Sequence, residues 1–132
     1  RQQKRGDLEA RLAVMEEDPV RPVIMIHQNT FSEPVYSGAQ MFYGSENAAS
    51  QALADSVRQS VVSLLQPDNT RELKPAPSDV WILHQTTAPV VMAECGFLSN
   101  PEECARLNDR DYQCRMAFAV AAGVAGWAED GA

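Results

Sequence analysis

Two stretches of the sequence place ionisable side chains directly after apolar runs. "VIMI" leads into His27, and "PVVMA" leads into Glu94. A glutamate in such a position is rarely buried without a partner, which here is a backbone N–H group, an arginine, or a metal centre whose bound water it deprotonates. The histidine is either a packed core residue or a ligand or base presented at a strand end. We therefore take Glu94 and His27 as the first candidates for chemistry.

Cys95, which follows Glu94, offers a competing nucleophile, with His27 or His84 as its base in a thiol hydrolase. A reactive thiol usually lies at the electropositive start of a helix, and the nearest helix start here is Asn100. We therefore expect Cys95 to be a small buried residue. His84 follows the apolar run "VWIL" and is expected near the rim of the same cleft. With two histidines in the chain, a complete hydrolytic zinc site is hard to assemble from these residues alone.

These side chains must be positioned by alternating strands and helices. Hydrophobic periodicity and helix-breaking prolines predict helices at residues 7–17 and 46–66 and from about 109 to 127, and strands at 22–29, 38–44, 80–85 and 88–95. Asp7 is a plausible N-cap of the first helix, while Asn100, Pro101 and Glu103 form a strong start for another. The pattern predicts an α/β fold with a layered sheet and helices on both faces, and active residues at the carboxyl ends of the strands.

Composition excludes several classes of function. The net charge is −7, from 18 acidic and 11 basic residues, and no clustered basic face is present, so nucleic acid is not an expected partner. Three cysteines without C-x-x-C spacing indicate reduced thiols and neither a disulfide framework nor a zinc knuckle. No apolar run reaches the length of a membrane span, and the chain does not begin with Met. A missing N-terminal part therefore stays open as an expectation.

The segments "IMIHQNTF", "GAQMFY", "NTRELK" and "ILHQTTAPVVMAECGFLSNPEE", in this order, resemble the type-3 family of zinc-dependent N-acetylmuramoyl-L-alanine amidases. The resemblance covers essentially the whole chain and is most specific in "ECGFLSNPEE". It implies a peptidoglycan hydrolase that cuts the amide between N-acetylmuramic acid and L-alanine, as in sporulating and other Gram-positive bacteria. It also implies that His27 is a zinc ligand and that Glu94 acts with the zinc-bound water, while Asn29 and His84 become candidate substrate-binding residues. The family usually has arginine or lysine in the place of His84.

The resemblance also predicts what this chain lacks. This chain has no counterpart of two of the family's three zinc ligands, nor of the family's first strand, first helix and second strand. Residues 1–132 are therefore expected to form a partial catalytic domain. We expect the missing part, self-association or a regulatory protein to complete it, and we expect action outside the cytoplasm, with any signal or anchor upstream. The alternative is a catalytically dead module that binds muropeptides or a protein partner.

Overall fold

Helices and strands follow one another along residues 2–131, the part of the chain that the computed structural model describes. They are α1 (Gln2–Glu16), β1 (Val23–Asn29), β2 (Gln40–Tyr43), α2 (Ala49–Leu64), β3 (Lys74–Pro75), a 3-10 helix (Trp81–His84), β4 (Val90–Phe97), α3 (Pro101–Leu107) and α4 (Arg110–Gly131). In this range no helix combines the length and apolar character needed to cross a membrane.

The four strands form one sheet in the order β1-β4-β2-β3. β4 pairs in parallel with β1 and antiparallel with β2, and β2 pairs in parallel with the two-residue β3. In the ladder, Glu94 lies opposite His27 of β1 on one side and opposite Gln40 of β2 on the other. The carboxyl ends of β1 and β4 and the start of β2 therefore share one edge of the sheet. β1 itself is an edge strand.

Helices cover both faces of the sheet, as the sequence predicted. On one face α2 and α4 pack against alternate residues of β2 and β4, in a core that includes Met41, Leu53, Val57, Val61, Val91, Ala93, Met116 and Val120. On the other face the end of α1 and the 3-10 helix cover the intervening residues, in a smaller core that includes Met15, Ile82, Leu83, Val90 and Met92. Burial of these side chains is the main favourable contribution to the stability of the layers.

The helices α2 and α4 approach each other closely at Gly123. A Cβ atom at this position would lie 2.6 Å from the Cα of Val57, so only glycine fits without a shift of the backbone. Two serines of α2 reinforce the contact: the Ser56 hydroxyl donates to the carbonyl of Gly123 and the Ser60 hydroxyl to that of Ala119, each at 2.6 Å. The pair of helices is thus joined by hydrogen bonds as well as by apolar packing.

The end of α1 is fixed to the loop that leads into β4. The Glu16 carboxylate accepts hydrogen bonds from the Thr86 hydroxyl, the Thr87 backbone N–H and the Thr87 hydroxyl, each at 2.7 Å. These bonds lower the pKa of Glu16 below its ordinary value, with the Thr87 side chain contributing most. Because Met15 lies beside this contact in the chain, the same bonds keep it in the smaller core.

Three sequence predictions of local structure are wrong. Residues 81–84, within the predicted strand at 80–85, form a 3-10 helix whose Ile82 and Leu83 are buried. The first helix begins at Gln2, so Asp7 lies inside it and pairs with Arg11 one turn on rather than capping the N-terminus. The predicted polar loop after α2 contains β3, which pairs with β2. By contrast, Asn100 caps α3 as predicted, since its side chain accepts from the backbone N–H of Glu103.

Candidate active site

The structure brings His27 and Glu94 to neighbouring positions at the carboxyl edge of the sheet. They are Cα partners in the parallel ladder between β1 and β4, and partners in a ladder point to the same face. Met25 and Met92, two residues earlier on each strand, belong to the smaller core, which identifies this face as the one that α1 covers. His27 is exposed and Glu94 is half-buried, so both can meet a ligand from solvent.

The pKa of the Glu94 carboxyl group lies above the ordinary value of a glutamate, as suits a proton acceptor. Burial raises the pKa of its carboxyl group, and the neighbouring Asn29 side chain opposes this with a smaller effect. Desolvation disfavours the charged form of a carboxylate, so Glu94 holds a proton more readily than an exposed glutamate does. This is the property required of a group that takes and returns a proton during one reaction cycle.

Asn29 completes a cluster with His27 and Glu94. Its side-chain oxygen accepts from the Thr30 backbone N–H at 2.8 Å, and its carbonyl accepts from the Leu98 N–H at 2.8 Å. The ladder is irregular here, because His27 pairs with Glu94 but Asn29 pairs with Phe97, one residue further along β4 than regular pairing gives. This bulge bends the strand where the candidate residues lie, as bulges beside active sites often do.

Cys95 points away from this cluster. It is 3% exposed and belongs to the larger core, on the face that α2 and α4 cover. Burial, with a smaller contribution from the charge of Glu94, raises the pKa of the Cys95 thiol to about 11. A thiol with so high a pKa is a poor nucleophile near neutral pH. The prediction that Cys95 is a small buried residue is confirmed.

His84 is not part of the cluster. It ends the 3-10 helix, where Nδ1 lies 2.9 Å from the Ser45 hydroxyl and Nε2 lies 2.9 Å from the carbonyl of Pro77. The backbone N–H of Ser45 donates to Leu83, and the N–H of Gly44 donates to Val90, the first residue of β4. His84 therefore lies by the amino end of β4, at the edge of the sheet opposite Glu94, and the structure does not bring it to the rim of the same cleft.

Sequence reasoning treated Glu103 only as part of a helix start, whereas the structure gives it a larger role beside the site. Its side chain is buried, and its carboxylate accepts from the backbone N–H groups of Gly38 at 2.9 Å and Phe97 at 2.6 Å. These bonds join the segment before β2 to the end of β4. Gly96 leaves the room for this carboxylate, since a Cβ there would lie 2.7 Å from it. The helix-start pattern alone does not indicate this role, because it does not show that the acid is buried.

The zinc site that the resemblance implies does not fit the residues of this chain alone. Across residues 2–131, no three or more histidine, cysteine, aspartate and glutamate side chains are grouped so that they could hold a metal ion. A hydrolytic zinc site takes three protein ligands and leaves one position for water. His27 is the one side chain here that matches a family ligand, and its exposed position at the edge strand β1 would leave it accessible to further ligands.

Comparison with solved structures shows the same fold in peptidoglycan amidases. The CwlD amidase of Clostridioides difficile, solved in complex with the GerS lipoprotein, superposes with a TM-score of 0.90 at 31% identity, covering 97% of this chain and 64% of that one. The catalytic domain of CwlV from Bacillus (Paenibacillus) polymyxa var. colistinus gives a TM-score of 0.77 at 27% identity, covering 92% of this chain and 65% of that one.

Sequence comparison gives the same result. The germination-specific N-acetylmuramoyl-L-alanine amidase of Bacillus subtilis (strain 168) is 29% identical over 121 residues, which are 92% of this chain and 50% of the relative. The chain thus spans about half the length of this curated relative. The sequence profile of the family described as N-acetylmuramoyl-L-alanine amidase matches residues 1–126. Fold, sequence and profile agree, and the chain belongs to the type-3 N-acetylmuramoyl-L-alanine amidase family.

Proposed function

We propose that this chain is part of the catalytic domain of a peptidoglycan hydrolase that cuts the amide between N-acetylmuramic acid and L-alanine. Its main support is the position of Glu94: a half-buried carboxylate of raised pKa, at a strand end beside His27 and Asn29, in a chain that matches the amidase family over residues 1–126. The proposal treats residues 1–132 as one partial domain that acts outside the cytoplasm, where peptidoglycan lies.

In this proposal Glu94 transfers the proton of the reaction. It takes a proton from the water that attacks the amide carbonyl and gives it to the departing nitrogen of L-alanine. Asn29 lies beside the carboxylate, and its side chain opposes the rise in the pKa of Glu94. Asn29 is also our candidate for contact with the substrate. We leave His84 out of this role because its two ring nitrogens already face Ser45 and Pro77.

The first test measures the release of L-alanyl peptide from a muramyl peptide, using protein expressed from the complete reading frame. We expect Glu94→Gln to lower turnover by about 100-fold or more, because general acid–base catalysis contributes roughly that much, and to leave the metal content unchanged. Glu46→Gln is the matched control, since Glu46 is exposed and precedes α2 at the opposite edge of the sheet. Wild-type activity in Glu94→Gln would remove the assigned role.

The second test concerns the metal. We propose that His27 is one zinc ligand and that the others come from outside residues 2–131, in a longer chain or a partner. His27→Ala should then reduce zinc bound by the full-length protein to about a tenth or less, measured by elemental analysis, because metal affinity depends steeply on ligand number. His84→Ala is the control, as it removes the chain's other histidine. A His27→Ala protein with one zinc per molecule would exclude His27 as a ligand.

One observation supports a second candidate function. Because the described residues provide no group of three metal-ligating side chains, the chain could keep the cleft and yet lack the metal, as a module that binds muropeptides without cutting them. Zinc content together with peptide release separates the two candidates. A metal-free protein that binds a muramyl peptide and releases no L-alanyl peptide would favour the binding module.

A protein partner is part of the proposal. The Clostridioides difficile amidase, which this chain matches at a TM-score of 0.90, was solved in complex with a lipoprotein. In this chain, β1 leaves one backbone edge unpaired within the described residues, and that edge carries His27. We propose that a missing segment of the same protein, a second copy or a regulatory protein completes the site there.

A further inference from the structure

Arg71 is held in a fixed position although its charge has no counter-ion among residues 2–131. Its Cζ lies 4.8 Å from the ring centroid of Phe97 and 5.9 Å from that of Tyr36, and its Nε donates to the Ser37 carbonyl at 2.8 Å. In residues 2–131 it forms no ion pair, and its two terminal nitrogens have no hydrogen-bond partner. A guanidinium that is stacked and fixed by Nε presents its terminal N–H groups as a ready-made fork for a planar anion.

The backbone of Arg71 is fixed as firmly as its side chain. Its N–H donates to the Asn69 side chain at 2.9 Å, and its carbonyl accepts from Nε of Arg58 at 2.6 Å. Asn69 in turn donates to the carbonyl of Ala39, which joins this loop to the start of β2. Little conformational freedom remains to be lost when a ligand binds, which favours affinity.

Arg71 lines a cavity of about 670 Å³ that also receives Arg106. The Arg106 side chain is half-exposed, with Nη2 3.9 Å from the buried carboxylate of Glu103. That carboxylate is already occupied by the N–H groups of Gly38 and Phe97, so it neutralises Arg106 only in part. Arg71 and Arg106 thus bring two guanidinium groups to one cavity, and their positive charge favours an anionic ligand.

This cavity lies at the same edge of the sheet as Glu94. Phe97, on which Arg71 stacks, is the last residue of β4, three positions after Glu94 and therefore roughly 10 Å from it along the strand. Ser37, which accepts from Arg71, shortly precedes Gln40, the ladder partner of Glu94. That strand length corresponds to about three residues of an extended peptide. From Glu94, on the side of α1, the peptide would pass over the end of the sheet to the side of α2 and α4, where Leu65 and Tyr112 line the cavity.

We propose that Arg71, assisted by Arg106, binds a carboxylate in the peptide part of the substrate, two or three residues beyond the amide that is cut. The inference rests on the proposed function, because it takes Glu94 as the place of cleavage. A single carboxylate fits better than a phosphate dianion, since Asp68 and Glu103 line the same cavity and would repel a second negative charge. Arg71 and Arg106 would thereby select the stem peptide by its acidic group.

The test measures binding of L-alanyl-D-glutamate to the full-length protein by calorimetry, with the diamide of the same peptide and inorganic phosphate as comparison ligands. We expect the diamide to bind wild-type protein about tenfold or more weakly, because it lacks the charge-assisted hydrogen bonds. Arg71→Gln and Arg106→Gln should weaken the dicarboxylate but not the diamide. Arg71→Lys should recover only part of the affinity, since it keeps the charge and loses the fork.

Arg115→Gln is the control, because Arg115 is exposed on α4 and paired with Asp111. Equal affinity for the peptide and its diamide in wild-type protein would overturn the proposal even if the Arg71 variants fail to fold. Tighter binding of phosphate than of the peptide would also overturn it, as would equal losses in Arg71→Gln and Arg115→Gln.

The assay needs no turnover, so its failure is distinct from failure of the proposed function. Carboxylate binding that depends on Arg71, in a protein that releases no L-alanyl peptide from any muramyl peptide, would uphold this site and refute the hydrolase. Hydrolysis of muramyl peptides without a preference for the carboxylate would uphold the hydrolase and refute this site.

Discussion

At the scale of single residues, the half-burial of Glu94 makes the folded state favour its protonated form. A carboxyl group whose pKa is raised on folding binds its proton more tightly in the native state, so its contribution to stability decreases as the pH rises through the interval above the unfolded pKa. At neutral pH the ionised, partly desolvated Glu94 is thus a destabilising feature. Active sites commonly retain such features because the chemistry requires them.

Glu94→Gln should therefore increase the free energy of unfolding at pH 8, since a neutral amide has no charge to desolvate. The gain over wild type should shrink as the pH is lowered toward 4.5, the ordinary pKa of a glutamate, because wild-type Glu94 takes up its proton above that value. Urea unfolding at several pH values checks this, with Glu46→Gln as the exposed control. A stability difference that does not change with pH would contradict the raised pKa.

The sequence predicted some of these residues and missed others for identifiable reasons. Glu94 and His27 follow apolar strands, and the end of an apolar strand can be recognised in the amino-acid sequence. His84 also follows an apolar run, but which edge of the sheet it reaches depends on strand direction and order, which the pattern does not contain. Arg71 lies in "NTRELK", one of the segments that carry the family resemblance, but its stacking on the rings of Phe97 and Tyr36 joins residues distant in sequence, so the segment alone does not predict it.

At the scale of elements, the packing of α4 on α2 depends on which glycine faces the contact. Gly123→Ala should lower the free energy of unfolding by about 1–3 kcal/mol, since the new methyl group meets the backbone of Val57 and overpacking of this kind costs that much. Gly126→Ala is the matched control, because its Cβ would lie 3.5 Å from the Ser56 hydroxyl, an ordinary contact.

The control substitution Gly126→Ala should change the free energy of unfolding in the opposite direction. Alanine favours a helix over glycine by up to about 1 kcal/mol, so Gly126→Ala should stabilise the protein. Urea denaturation of both variants gives the comparison. If the two substitutions change stability in the same direction, the close approach of α2 and α4 at Gly123 is not what determines the result.

The element that the sequence predicted incorrectly shows the limit of apolar patterns. "VWIL" is a four-residue apolar run, and such a run is equally consistent with a buried strand or a buried turn of helix. Ile82 and Leu83 are buried as an internal strand would require, yet the backbone N–H groups of Leu83 and Gln85 bond to residues three positions earlier. Tertiary packing against β4 decided the conformation, and burial alone was predictable.

At the scale of the whole molecule, β1 has one backbone edge that is unpaired within residues 2–131. Ile26 is 58% exposed on this strand, and an exposed apolar edge strand pairs readily with another chain. We expect the 132-residue chain to self-associate with increasing concentration in sedimentation experiments.

Ile26→Lys should shift this equilibrium toward monomer, because a lysine on an edge strand must be desolvated when a second strand pairs there. Val20→Lys is the control, since Val20 is 78% exposed in the turn before β1. A monodisperse monomer at high concentration, or equal effects of the two lysines, would contradict an interface at β1.

The central place of β4 also determines the order in which the chain can fold. Both β1 and β2 pair with β4, and Val23 finds its partner in Val90, 67 positions later. During synthesis, β1 and β2 are made before β4, the strand with which both of them pair. Contacts of such long range slow folding, so the apolar strands are exposed for longest while β4 is awaited. In a growing chain, aggregation competes with folding chiefly during that interval.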